Sequence, residues 1–229
     1  MNPSDPFWRS VASFGLTEVA LPGDPGDEPS GSARAGVSSL EALRDQTDGC
    51  TRCRLAGGRK RLVFGEGNPD SGILFVGEGP GATEDETGLP FVGRAGELLN
   101  RILASVSLDR NSVFIANVVK CRPPGNRTPA PDEVGACLEI LMKQVEIIRP
   151  EIIVALGASA AGALLGTRRG IGALRGSIHR FMGIDVMVTY HPAALLRSPA
   201  LKRPVWEDMK KLQIIMGEKG LPRSASVVG

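Results

Sequence analysis

The chain has 229 residues, a formal net charge of +2, 42% hydrophobic and 23% charged residues, which suits one soluble domain with a full core and points, by charge alone, to no partner. No apolar run is long enough to cross a bilayer, and the N-terminus lacks the basic-then-apolar order of an export signal. Membrane, disulfide-scaffold and collagen-like classes are therefore excluded, and a cytoplasmic monomer without membrane contact is expected.

Residues 1–38 read as a disordered tail rich in Gly, Pro and acids. Ser38-x-x-Glu41 is a capping box that opens a short helix to about Asp48. Ile73 to Val76 is a wholly apolar strand that runs into Gly77-Glu78-Gly79-Pro80-Gly81. Helical spacing of Leu98, Leu99, Ile102, Leu103 and Val106 predicts a helix over 94–106. A strand over 113–119 follows, then a helix to Ile148 that opens on Pro131 and Asp132. Ile152 to Leu156 is a third buried strand, and Ala158 to Leu165 a helix of small residues. Strands over 177–181 and 186–190 pair around Gly183, and a last helix covers 205–216. Alternating strands and helices with fully apolar strands predict an α/β fold, a three-layer α/β/α sandwich around a mostly parallel sheet. The domain is expected over 39–220, with a C-terminal tail over 221–229.

In such sheets ligands sit beyond the carboxyl ends of the strands, which brings Glu78, Asn117 and His191 to one place. The Gly-rich turn at Gly77 is no phosphate loop: the lysine is missing, Pro80 removes a donor and Glu78 repels phosphate. It suits a backbone approaching a neutral ring, with a carboxylate aimed at the reacting centre. Aromatics are scarce (Phe 7, Trp 2, Tyr 1), and Phe91 stands in the Gly/Pro loop after Glu84, where a held ring can stack on a base. Asn117 lies in an apolar strand, where its amide must find partners; side-by-side donor and acceptor match a pyrimidine edge. Between Gly166 and Pro204, seven bases stand against one acid, Asp185. This basic lobe around His191 suits a polyanion.

Cys50 and Cys53 form a C-x-x-C, and Cys121 and Cys137 complete a set of four. Without an export signal, disulfides are not expected. Four such sulfurs suit an all-cysteine zinc site or an iron–sulfur cluster, and spacing alone does not choose.

The segments Gly77 to Gly81, Pro90-Phe91-Val92-Gly93-Arg94-Ala95-Gly96, Asn117 to Arg127 and His191-Pro192-Ala193-Ala194-Leu195-Leu196-Arg197 closely resemble the family 4 uracil-DNA glycosylases. The likeness runs from about Cys50 to Leu212. It implies the sandwich fold read above, a structural [4Fe-4S] cluster on Cys50, Cys53, Cys121 and Cys137, and excision of uracil from single- or double-stranded DNA. It also implies that Phe91 stacks on a flipped uracil, that Asn117 reads its polar edge with the backbone of Gly77 to Gly79 against it, and that Glu84 crowds C5. Glu78 and His191 then lie closest to bond cleavage. Leu195, Leu196 and Arg197 fill the gap in the stack, and Lys202 and Arg203 hold phosphates. No His lies between Asn117 and His179, so turnover is expected in place of covalent trapping. The competing classes are an iron–sulfur or zinc DNA-binding module without glycosylase activity and a phosphate-loop hydrolase.

Overall fold

A computed structural model of the chain describes residues 39–224; the tail expected over 1–38 lies outside them, as do 225–229. Ser39 caps helix α1 (Leu40–Asp48) by accepting from Ala42 N. After a 3₁₀ turn at Arg54–Gly58 come the strands β1 (Glu66–Gly67) and β2 (Ile73–Gly77). Helices α2 (Ala82–Thr87) and α3 (Arg94–Ala104) lead to β3 (Phe114–Asn117), α4 (Pro131–Ile148) and β4 (Ile152–Leu156). Then follow α5 (Ala158–Leu165), α6 (Ile171–Leu174), β5 (Ile178–Phe181), β6 (Ile184–Thr189), α7 (Pro192–Arg197) and α8 (Lys202–Glu218).

The six strands form one sheet in the order β1-β3-β2-β4-β6-β5. The inner four are mutually parallel, and the edge strands β1 and β5 run antiparallel to their neighbours. Side chains alternate across the sheet. Leu74 and Val76 face the core under α1, α4, α5 and α6, while Ile73 and Phe75 face the core under α3, α7 and α8. This is the expected three-layer sandwich. Strand order reverses between β2 and β4, and a crevice opens at such a switch point beyond the carboxyl ends.

Several boundaries differ from expectation: the cap of α1 is Ser39 and not Ser38, α3 ends at Ala104, and β6 covers Ile184–Thr189. β3 stops at Asn117: Val118 N and Val119 N still bond to the carbonyls of Gly77 and Glu78, but β2 has ended there and no ladder continues. Helix α8 begins at Lys202 because Pro204, which reads as a breaker, is tolerated in a first turn. Residues 221–224 are no tail. Ser224 is buried, its N donates to Ser107 O at 2.8 Å and its hydroxyl to Asp109 Oδ2 at 2.6 Å. No helix among the described residues is long and apolar enough to cross a membrane.

Candidate active site

The carboxyl ends of β2, β3, β4 and β6 open on a cleft of about 910 Å³. Glu78, Gly79, Glu84, Phe91, Asn117 and His191 all line it. Asn117, 1% exposed, closes β3 opposite Gly77 in register. Its Oδ1 is buried and has no hydrogen-bond partner among the described residues. Such an orphan acceptor is costly unless a ligand supplies the donor. Gly77 is what allows the close approach: a Cβ there would stand 2.5 Å from Phe91 Cζ and inside contact distance of Asn117 Oδ1.

Phe91 holds a left-handed backbone, φ 52°, which a bulky side chain adopts only under restraint. The restraint is visible. Arg110 donates to the carbonyls of Phe91 (3.0 Å) and Pro90 (2.6 Å) while pairing with Glu66 at 2.7 Å. On the other side, Glu84 Oε1 accepts from Val92 N and Gly93 N, both at 2.9 Å, and Oε2 accepts from Gly81 N at 3.1 Å. One carboxylate thus satisfies backbone donors at the starts of both α2 and α3. Glu84 borders the cleft, but its oxygens are engaged in holding the loop that carries Phe91.

His191 follows β6 and caps α7, with its Nδ1 accepting from Ala193 N at 3.1 Å. That bond places the ring proton on Nε2. Burial, helped by the nearby Arg197 charge, lowers the imidazole pKa to about 4, so at neutral pH the ring is an uncharged donor. Its centroid lies 5.4 Å from that of Phe91. Gly157, at φ 95°, leaves room for it; a Cβ there would meet His191 Cβ at 3.0 Å. Behind it, the Thr189 hydroxyl donates to Asp208 Oδ2 at 2.7 Å, and Asp208 pairs with Arg175 at 3.0 Å. Glu78 is half-buried; burial raises its carboxyl pKa above the ordinary value, and a hydrogen bond with Ser159 partly offsets this. Ser159 and Thr128 also line the cleft and were not singled out from sequence; Asn126 and Arg127, which line it too, close the Asn117 to Arg127 segment that carries part of the family likeness.

Two expectations for the DNA surface are corrected. Leu195 is 2% exposed and packs in the core, whereas Leu196 is 41% exposed. Neighbours on a helix point about 100° apart, and here that turn puts Leu195 into the core and Leu196 on the surface. The basic lobe is also weaker than its count. Arg175 is committed to the buried Asp208, while the exposed Arg180 and Arg203 have acidic neighbours at the surface in Asp185 and Glu207. Arg197 lines the cleft; Lys202 and Arg203 are exposed but do not.

Away from the cleft, Cys50, Cys53, Cys121 and Cys137 line one small hollow. Arg59 Nη1 donates to Cys121 Sγ at 3.4 Å and to Cys50 O at 2.6 Å, and Lys120 N donates to Cys137 Sγ at 3.2 Å. All four are free cysteines. Among the described residues no three of His, Cys, Asp or Glu group around a point as ligands of one ion do. The fully buried Glu133 joins this region to the cleft wall, accepting from Arg54 Nε at 2.8 Å and from Arg127 at 2.6 and 2.8 Å. Those partners hold its carboxyl down at about 2.

The family model of the Uracil DNA glycosylase superfamily matches residues 64–210, which carry every cleft residue named above. A type-4 uracil-DNA glycosylase of Thermotoga maritima is 47% identical over 185 residues, covering 79% of this chain and 96% of that protein. One of Pyrobaculum aerophilum is 46% identical over 178 residues, covering 74% and 91%. A type-5 uracil-DNA glycosylase of the same organism is 32% identical over 146 residues, covering 56% and 64%. Likeness to the type-4 proteins extends over nearly their whole length, and the family match spans the cleft from Gly77 to His191; this chain belongs to the uracil-DNA glycosylase superfamily.

Proposed function

We propose that this chain is a monofunctional DNA repair glycosylase that flips uracil out of single- or double-stranded DNA and hydrolyses its N-glycosidic bond, releasing uracil and leaving an abasic site. The observation that carries the reading is the orphan Asn117 Oδ1, buried within a cleft that also holds the Phe91 ring and the neutral His191. Uracil N3–H is the donor that oxygen lacks, and the amide nitrogen can donate to O4; cytosine presents the opposite pair.

Extrusion costs a few kcal/mol of lost stacking, which Phe91 stacking on the base and Leu196 entering the vacated space offset. Cleavage moves negative charge onto the leaving uracil and positive charge onto the sugar. A neutral imidazole with its proton on Nε2 suits the growing charge on uracil O2, because its hydrogen bond strengthens as the bond breaks. Glu78 stabilises the oxocarbenium-like sugar and orients the attacking water. Arg197 and Arg127, both in the cleft lining, suit the flanking phosphates.

The four cysteines suit a [4Fe-4S] cluster. All four line one hollow, and two of their sulfurs already accept N–H bonds from Lys120 and Arg59. When bound, the cluster would tie the Cys50–Cys53 segment to the start of α4 and supply no chemistry at the base. The catalytic unit covers 39–224 and acts as a monomer, with Cys50 to Cys137 bracketing the wall that ends in Arg127. No histidine stands in that wall, which supports turnover without a covalent adduct.

The test is incubation with an oligonucleotide carrying one uracil, followed by alkali. Strand scission at that position together with free uracil is expected. Tight DNA binding without scission would leave only a DNA-binding module.

A further inference from the structure

Lys120 is wholly buried, at 0% exposure, and nothing in the proposed chemistry uses it. Its Nζ donates to Asn117 O at 2.8 Å and to Gln144 Oε1 at 2.6 Å. Gln144, also 0% exposed, donates through Nε2 to Phe64 O at 2.9 Å. Val63 N closes the ring by donating to Lys120 O at 2.8 Å.

The sheet explains why this bridge exists. β1 pairs antiparallel with β3 through Glu66↔Ile115 and Gly67↔Phe114. Continuing that register would set Phe64 opposite Asn117, but β1 has ended by then. The carbonyls of Asn117 and Phe64 therefore lack ladder donors in a region closed to water. A buried carbonyl without a donor is costly, and Lys120 with Gln144 spans the gap between the two. A backbone pinned at its carbonyl has a fixed peptide plane, and a fixed plane sets where the side chain of the same residue points. That side chain is the one whose Oδ1 waits in the cleft.

We infer that Lys120, braced by Gln144, is a positioning residue for base recognition: it holds the Asn117 peptide at the broken edge of the sheet and so aims the Asn117 amide. The inference rests on Asn117 being the base reader. Lysine serves where a shorter donor fails because it returns from three residues further along the chain to reach the Asn117 carbonyl while also meeting Gln144.

A double-mutant cycle tests it. Lys120→Met keeps the buried stem and removes the donor. Single-turnover excision of uracil should fall roughly 10–100-fold, the range expected when a reacting contact shifts by a fraction of an ångström to 1 Å. Iron content, unfolding midpoint and DNA affinity are measured on the same preparation. In an Asn117→Ala background, Lys120→Met should cost no further activity, because the residue it aims is gone. A purely structural lysine would lower the rate equally in both backgrounds, and that result overturns the inference, as does wild-type excision by Lys120→Met. If Lys120→Met does not fold, Gln144→Met goes through the same cycle with the same two refuting results. Normal excision by Asn117→Ala would instead sink the reading of Asn117 itself.

Discussion

Gly77→Ala adds one methyl group at the centre of the cleft. The backbone there is ordinary β conformation, so the substitution brings no conformational strain and its effect is steric. The new Cβ would stand 2.5 Å from Phe91 Cζ and 2.7 Å from Cε2, with Asn117 Oδ1 also inside contact distance. Carbon atoms pack at about 3.5–4.0 Å, so the ring or the amide must retreat by roughly 1 Å. The backbone that carries the ring is latched by Arg110 and Glu84, and the amide sits at the end of a strand, so neither yields easily. A misplacement of about 1 Å costs roughly 10²-fold in rate, equivalent to about 2.7 kcal/mol of barrier. Overpacking should also lower stability by about 1–3 kcal/mol. The assay is single-turnover cleavage of a uracil oligonucleotide at saturating enzyme, with DNA affinity measured separately and expected to hold. Gly170→Ala, where an added Cβ meets nothing within 4 Å, is the control. A folded Gly77→Ala protein that excises uracil at the wild-type rate would refute the placement of base recognition between Asn117 and Phe91.

Removing the imidazole in His191→Ala should slow single-turnover excision by about 10²–10³ while leaving affinity for DNA nearly unchanged; unchanged chemistry would take His191 out of the mechanism. Because its pKa in the fold is about 4 against an ordinary 6.5, the unfolded chain takes up a proton first, and stability should drop as pH falls from 6.5 toward 4. His191→Asn should flatten that slope in denaturant titrations, and an identical slope would count against burial of a neutral ring. Glu84→Gly should impair excision of every base by freeing the Phe91 loop; a variant that keeps full rate on uracil and gains thymine would assign Glu84 to gating C5 alone. Anaerobically purified protein should be yellow-brown with about four irons per chain, and Cys121→Ser should lose iron and thermal stability together; colourless protein with stoichiometric zinc contradicts the cluster. Leu196→Ala should weaken excision from duplex DNA more than from single strands, and Leu195→Ala should show itself in the melting temperature, by about 2–5 kcal/mol of lost core packing.

The inner strands were legible in sequence because they are buried on both faces, so Ile73 to Val76 and Ile152 to Leu156 appear as unbroken apolar runs. β1 was not, since two residues, Glu66 and Gly67, carry no alternation and pair only because β3 lies beside them. Helix α2 carries no apolar stripe to read: Ala82 to Thr87 is polar, and what holds its start is Glu84, whose other oxygen is bound by Val92 N and Gly93 N further along the chain. The rule that ligands gather at strand ends brings Glu78, Asn117 and His191 to one place, and all three line the same cleft. It could not foresee that Arg175 would be neutralised by Asp208, because charge counting along a segment ignores partners supplied by a later helix. Nor did a lysine inside a Lys-Cys-Arg run suggest a fully buried side chain; its burial follows from a carbonyl left bare where one strand stops.

The latched loop around Phe91 has a consequence for what happens after the bond is broken. Its backbone is tied down by bonds within the protein, from Arg110 and to Glu84, so little ordering remains to be done when a base arrives. The same holds for uracil that has already left its sugar. In the proposed reading Asn117, Phe91 and His191 address the ring and its polar edge, all of which the free base retains. A cleft built in advance for the substrate's base is built equally for the product, so accumulating uracil should compete with DNA for it, and turnover should slow under conditions where the released base is not cleared away.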